Sequence, residues 1–218
     1  MNGQFTKTIT VVLITLFISA TLSSAQDQKM IQLPDPQTEG GRPLMQVLQE
    51  RESSRQYSSK ELSPQILSDL LWAAWGINRP ESGKRTAPSA MNNQEIDMYV
   101  SMAKGLYLYN AQNHTLEPVL DQDIRAFTGG QPFVKDAPVN LIFVADFSKM
   151  GDSPEEQKIF YSAADVGFIS QNVYLYCASE GLATVVRGWV DKAALEKRMG
   201  LPDHKKVILT QTVGYPGQ

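Results

Sequence analysis

Arg51, Ser53 and Arg55 are the first residues whose types and spacing could do chemistry. In extended chain, alternate positions point to one side. Two planar guanidinium forks flanking a hydroxyl suit a phosphate, held by charge-assisted hydrogen bonds. The same three residues would also serve as a solvated link between helices, with Arg51 paired to Glu50 or Glu52. A second set lies in the run Arg85-Thr86-Ala87-Pro88-Ser89-Ala90-Met91-Asn92-Asn93-Gln94. Pro88 stiffens the backbone there. The hydroxyl of Ser89 and the amides of Asn92 and Gln94 match the carbonyl and N–H edges of a heterocycle. An ordinary capped turn would use the same residues.

The elements that must position these sets follow from hydrophobic period and capping. Leu44, Val47 and Leu48 are spaced as a short amphipathic helix over 43–49, which delivers the chain to Arg51. Ser63-Pro64 opens a second helix, with Ile66, Leu67, Leu70, Leu71, Ala74 and Trp75 on its buried side and a stop near Gly76. Residues 96–100, 106–109 and 115–119 read as three strands joined by turns, and 122–127 as a helical segment. Val139 to Ala145 is a continuous apolar run, the best central strand. The longest element spans Ser153 to Gly181, with Ser153 as cap, Pro154 in the first helical position and Gly181 as the left-handed stop. It is apolar on nearly every side after its first two turns. That predicts burial in the core or in a subunit interface, with Ala163, Ala164, Gly167 and Ser170 allowing close approach. A helix over 192–199 capped by Asp191 and a strand over 207–213 complete the pattern. Strands interspersed with helices, with a hairpin inserted, describe a layered α/β or α+β protein.

Bulk properties narrow the function. The 218-residue chain has a formal charge of −3 and no Lys/Arg block, a poor basis for nucleic-acid or anionic-membrane binding. One cysteine, Cys177, excludes an intrachain disulfide, and its place in the long helix predicts an inert buried thiol. Two histidines and one cysteine, far apart, do not suggest a structural zinc site. There is no P-loop, dinucleotide fingerprint, zincin helix or serine elbow. Residues 1–25 have the pattern of a secretory signal: Lys7, an apolar run from Ile9 to Ala20, then Ser23-Ser24-Ala25. The predicted organisation is a signal over 1–25, an extended leader over 26–42, and one domain over 43–218. The localisation expected is periplasmic or secreted, with no membrane attachment after cleavage.

Taken together, the motifs carry a resemblance. Arg-x-Ser-x-Arg at 51–55, Ala-Ala-x-Gly-x-Asn at 73–78, Pro-Ser-x-x-Asn-x-Gln at 88–94, Asp165-x-Gly167-x-x-x-Gln171-Asn172, Gly200-Leu201-Pro202 and Gly214-Tyr215-Pro216 follow in order. Over residues 43–216 the chain resembles the nitroreductase family of FMN-dependent oxidoreductases. The resemblance implies an α+β fold: a central, mostly antiparallel sheet flanked by helices, with a long buried central helix. It implies a homodimer through the 153–181 helix, with two FMN sites at the interface. Arg51, Ser53 and Arg55 would hold the ribityl phosphate and chain. Ser89, Asn92 and Gln94 would lie near the flavin ring, and the segment with Val186, Arg187 and Gly188 would offer backbone donors. A ping-pong cycle would pass electrons from NADH or NADPH to a quinone, nitroaromatic or other conjugated acceptor. Flavin performs that redox chemistry itself, so no catalytic triad is expected.

The sequence departs from the family pattern in three places. No basic residue follows Gly-Tyr-Pro, where members carry a further phosphate contact, so Arg55 or Lys84 would have to substitute. The hairpin over 98–120 is closer to the azoline-forming dehydrogenases of peptide maturation. The export signal lacks a twin arginine. Two alternatives therefore stand beside the reductase: a non-catalytic flavin- or small-molecule-binding protein on this fold, or a dehydrogenase of the azoline-forming type.

Overall fold

The structure, a computed structural model, describes residues 29–217; the expected signal lies outside them. The helices are α1 (Leu44–Glu50), α2 (Pro64–Trp75), α3 (Glu155–Glu180) and α4 (Lys192–Met199). The strands are β1 (Ile31–Gln32), β2 (Ile77–Arg79), β3 (Lys84–Arg85), β4 (Ile96–Met102), β5 (Gly105–Asn110), β6 (Thr115–Leu120), β7 (Val139–Asp146), β8 (Ala183–Arg187) and β9 (Lys205–Gly214). Seven strands form one sheet in the order β1-β6-β5-β4-β7-β9-β8, every neighbour antiparallel. The short β2–β3 hairpin stands apart. This is the α+β architecture expected from the sequence.

The apolar run in β7 has a simple cause. All eight of its residues are buried, because both faces of the sheet are covered. On one face α2 and α3 pack over Val139, Leu141, Phe143 and Ala145. On the other, Leu195 and Met199 of α4 pack with Ile142, Val144 and Val207. In α2 the expected cap is present: Ser63 Oγ accepts the Ile66 N–H at 3.2 Å, with Pro64 in the first position. Residues 122–127 contain one short 3-10 turn, Arg125–Phe127.

Two readings of α3 change. The helix starts at Glu155, and Pro154 is its extended N-cap, so Ser153 does not cap it. Glu155 and Glu156 instead lie in the first turn, where carboxylates complement the helix dipole. Within one chain α3 is buried along one arc only, through Val166, Ile169, Ser170, Val173, Tyr174 and Cys177. Phe160, Ala163, Ala164, Gly167 and Phe168 are exposed. Ser170 faces inward with the core. Cys177 is buried, and burial pushes its thiol far up, as expected of an inert group.

The leader is part of the packed structure. Ile31 and Gln32 pair with Leu116 and Thr115, and Leu33 is buried. A hydrogen-bonded chain ties it down. The Ser68 hydroxyl donates to Pro34 O at 2.6 Å and lies 2.6 Å from His114 Nε2, while His114 Nδ1 lies 3.0 Å from the Tyr109 hydroxyl. With Ser68 already donating, Nε2–H donates to Ser68, and in the neutral ring that burial favours Nδ1 then accepts from Tyr109. That is a neutral imidazole, and burial lowers its pKa below 6.5. The unfolded chain therefore binds the proton first, and this part of the stability is lost as pH falls below about 6.5. Thermal unfolding between about pH 7.5 and pH 5 should show a larger loss for the wild type than for His114→Asn. Parallel curves would reject this role.

Candidate functional site

The Arg51–Arg55 segment runs along the open edge of β8. Thr184 O accepts Ser54 N–H at 2.9 Å, and Val186 N–H donates to the Tyr174 hydroxyl at 3.0 Å. That hydroxyl is 2.8 Å from Ser53 Oγ. Tyr174 thus joins the serine of the first set to the strand that follows α3. The Arg51 guanidinium lies 5.3 Å from the Tyr174 ring centroid. Glu50 is not available to Arg51, because Arg42 of the leader takes both its carboxylate oxygens. Among the described residues no carboxylate forms an ion pair with Arg51 or Arg55. Arg51 over the Tyr174 ring next to Ser53, with Arg55 two residues further on and neither in an ion pair, suits an anion site.

Val186 and Gly188 sit two residues apart, on the same edge of the sheet by the alternation of an antiparallel strand. The Val186 N–H is occupied by Tyr174, so Gly188 is the position where this edge offers a donor onward. The Arg187 side chain turns inward. Nη1 donates to Thr128 O at 2.8 Å and Nη2 to Asn140 Oδ1 at 3.0 Å, while Nε has no partner. Burial lowers this guanidinium to about 10, so it remains a cation at neutral pH. It anchors the Thr128–Gln131 loop, whose Gly130 N–H donates to Trp189 O at 3.1 Å. Trp189 itself is 72% exposed.

The second set forms a tight turn. Ala90–Asn92 is a single 3-10 turn, and Met91, Asn92 and Gln94 have φ of 53°, 56° and 48°. Left-handed conformations at non-glycine residues cost on the order of 1–3 kcal/mol each and persist where the surroundings enforce them. The enforcing bonds are explicit. Gln94 N–H donates to Ser89 Oγ at 3.0 Å, and Ala90 N–H to Asp165 Oδ2 of α3 at 2.8 Å. Arg85 Nε donates to Gln94 Oε1 at 2.8 Å, and Gln94 Nε2 to Gly83 O at 3.1 Å. Arg85 is fixed in turn by Trp75 O at 2.8 Å and lies over the Trp75 ring. Gln94 therefore braces the turn against the β2–β3 hairpin. Asn92 and Met91 point outward, with Met91 71% exposed.

One chain does not bring the two sets together. The first is tied to α3 at Tyr174 and the second at Asp165, nine residues apart. That separation is about 13.5 Å along the helix, and half a turn out of phase, so they leave α3 on opposite sides. Tyr99, Tyr107 and Tyr109 are buried in the sheet's packing. Tyr174, which ties Ser53 to β8, was not among the residues expected from the sequence; its signal is only a hydroxyl on the buried arc of α3, an arc that also carries Ser162, Asp165 and Ser170. Past Gly-Tyr-Pro, Gly217 N–H donates to Gln56 O at 3.1 Å, and Lys60 Nζ lies 4.5 Å from the Tyr215 ring centroid. Lys60 is one cation beside this end of the sheet, and Arg55 lies near Tyr57, which bridges Pro216; Lys84 lies on β3 of the separate hairpin.

Comparison with known proteins gives a consistent result. The model of the family described as Nitroreductase matches residues 48–215. A protein of Methanocaldococcus jannaschii named for nitroreductase activity is 33% identical over 172 residues, covering 74% of this chain and 85% of its own. An NADPH-flavin oxidoreductase of Vibrio harveyi is 29% identical over 104 residues, covering 44% of this chain and 43% of its own. A crystal structure from Ralstonia eutropha, also named for nitroreductase, superposes with a TM-score of 0.84 at 42% identity. It covers 88% of this chain and 91% of its own.

Proposed function

The chain belongs to the nitroreductase family of flavin-dependent oxidoreductases, and from that premise we propose that it binds FMN and passes electrons from a nicotinamide donor to a quinone, nitroaromatic or other conjugated acceptor. The observation that carries this reading is the pair Arg51 and Arg55, left without carboxylate partners beside Ser53, at the head of a strand edge that leads to Gly188. The donor set fits the cofactor: guanidinium forks and a hydroxyl for the phosphate, then amide donors for the ring.

When bound, FMN supplies the two-electron chemistry. The chain's own residues bind and orient. Arg51 and Arg55 neutralise the phosphate dianion, and Ser53 holds it while Tyr174 fixes the serine. Gly188 would offer its N–H to the flavin ring. Ser89 and Asn92 frame the ring from the second turn, and Gln94 keeps that turn rigid. Met91 and Trp189, both exposed apolar side chains, would wall a flat acceptor and limit water.

Because the two sets leave α3 on opposite sides, each complete site draws its arginines from one chain and its 89–92 turn from a second copy. The exposed stripe of Phe160, Ala164, Gly167 and Phe168 supports an isologous homodimer contact. The signal-like pattern at 1–25 supports export to the periplasm or beyond. The direct test is to purify the protein, strip it and add FMN. Uptake of flavin, and its reduction by NADPH or NADH followed by reoxidation by a quinone, is the expected result. A protein that takes up no flavin sinks the reading; one that binds flavin without turnover leaves a binding protein.

A further inference from the structure

Glu95 follows directly on the 89–94 turn and is fully buried. Its carbonyl accepts the Asp146 N–H at 2.9 Å, which fixes the backbone where β4 begins. Among the described residues neither of its carboxyl oxygens has a well-aligned hydrogen-bond donor, although its own N–H and the Ser162 hydroxyl lie close enough to favour the charged form somewhat. The adjacent Ser162 hydroxyl is directed at Met150 Sδ, 3.5 Å away. What the Glu95 carboxyl does meet is Asp165 of α3, also buried. Asp165 Oδ2 accepts the Ala90 N–H at 2.8 Å. Two carboxyl groups in contact and out of water cannot both be ionised; sharing one proton turns the repulsion into a hydrogen bond.

Among the described residues no cation forms an ion pair with either carboxyl. On β3, Arg85 is spent on Gln94 Oε1 and Trp75 O. On β4, Asp97 faces Lys149 and Lys205, and Asp146 at the end of β7 faces Ser148 and Lys205. On α3, Lys158 donates to Phe147 O. Burial, and then the Asp165 charge, push the Glu95 carboxyl up to about 7.

We propose that Glu95 is a positioning residue for the flavin turn: as a neutral acid it donates its O–H to Asp165, and the pair clamps the left-handed Met91, Asn92 and Gln94 through the Asp165–Ala90 bond. This rests on the reading of Ser89 and Asn92 as ring contacts. When Glu95 gives its proton to solvent, two adjacent anions repel, Asp165 shifts, and Ala90 N–H loses its acceptor. The sign follows from the raised folded value. The folded protein holds the proton that the unfolded chain loses near 4.5, so this stabilisation is complete below that pH. It is lost as pH rises through about 7.

The test compares wild type, Glu95→Gln and Glu95→Ala at about pH 6 and about pH 8.5, on either side of that transition. A glutamine amide can donate to Asp165 at every pH, so Glu95→Gln keeps the clamp without its proton. In flavin-free wild type the infrared carbonyl band of a protonated carboxyl is expected at the lower pH, lost at the higher, and absent from Glu95→Gln. Protection of the Ala90 amide against hydrogen exchange, corrected for intrinsic rate, should fall about tenfold over the same interval in wild type only. FMN affinity should fall by a similar factor in wild type, stay level in Glu95→Gln and be weak throughout in Glu95→Ala. No carboxyl band at the lower pH, or the same loss of Ala90 protection in Glu95→Gln, overturns the proposal. A normal response at Ala90 with unchanged FMN affinity overturns the positioning role and removes Ser89 and Asn92 from the ring, while the clamp stands. A protein that binds no FMN at either pH, with Ala90 responding as expected, puts the failure in the flavin reading alone.

Discussion

Co-expressing an Arg51→Ala/Arg55→Ala chain with an Asn92→Trp chain should restore flavin binding that neither chain shows alone. In the proposed site each arginine would make a charge-assisted contact worth about 1.5–3 kcal/mol, so the double substitution should weaken FMN binding by about two or more orders of magnitude. Asn92→Trp puts a bulky side chain at a position with φ of 56°, a conformation that asparagine tolerates and tryptophan does not. If each site combines the arginines of one chain with the turn of its partner, a mixed dimer carries one intact site and one doubly damaged site. Random pairing makes half the dimers mixed, so about a quarter of all sites recover. If each site lay within one chain, every site in the mixture would carry one defect and recovery would be nil. Flavin bound per chain, read from absorbance after gel filtration, decides between them. A monomeric elution of the wild type at micromolar concentration would reject the composite site outright.

Gly129→Ala should be among the most destabilising single-methyl changes in the protein. A Cβ at Gly129 would stand 1.8 Å from Arg187 Nη1 and 3.1 Å from its Cζ. The guanidinium cannot step aside without giving up Thr128 O and Asn140 Oδ1. Two charge-assisted bonds and an unpaired buried cation put the cost at about 3 kcal/mol or more. For a domain of this size that is a fall in Tm of roughly 6–12 °C. Arg187→Met removes both the collision and the buried charge. Its two acceptors keep other donors, since Thr210 Oγ1 donates to Thr128 O and Thr212 Oγ1 to Asn140 Oδ1. In that background Gly129→Ala should cost less than about 1 kcal/mol. A small effect in the wild type, or additive effects of the two changes, would show that the loop does not depend on Arg187. Because Gly130 is bonded to Trp189, loosening this loop should also weaken FMN binding at Gly188.

How much of the site is legible in sequence depends on how local its causes are. The alternation that would put Arg51, Ser53 and Arg55 on one side needs only two consecutive pairs of peptide units. The Ser63 cap and the Gly181 and Gly200 stops are likewise set within four residues of themselves. Gln94 was legible as a polar residue of the turn, but not as its brace, because that role depends on Arg85 and Gly83 across a hairpin. Arg187 was read for its backbone, and the destination of its side chain follows from Thr128 and Asn140, which are 59 and 47 residues away. The pairing of Arg42 with Glu50 crosses the whole of α1, and it removes Glu50 as a partner for Arg51. Glu95 gave no local signal at all: an acid before a strand is ordinarily solvated, and only the approach of α3 buries it.

The sequence by itself determined the element types, the family, the two candidate sets and the likeness of the long helix to an interface, because period, capping and motif order are short-range properties of the chain. Only the tertiary structure decided which arc of α3 stays exposed and that Asp165 and Tyr174 leave it on opposite sides. The physical reason is that a helix apolar on nearly every side does not specify which side its own sheet will cover. That choice is made by packing against α2, β8 and β9, and it places the two candidate sets on the two flanks of one helix.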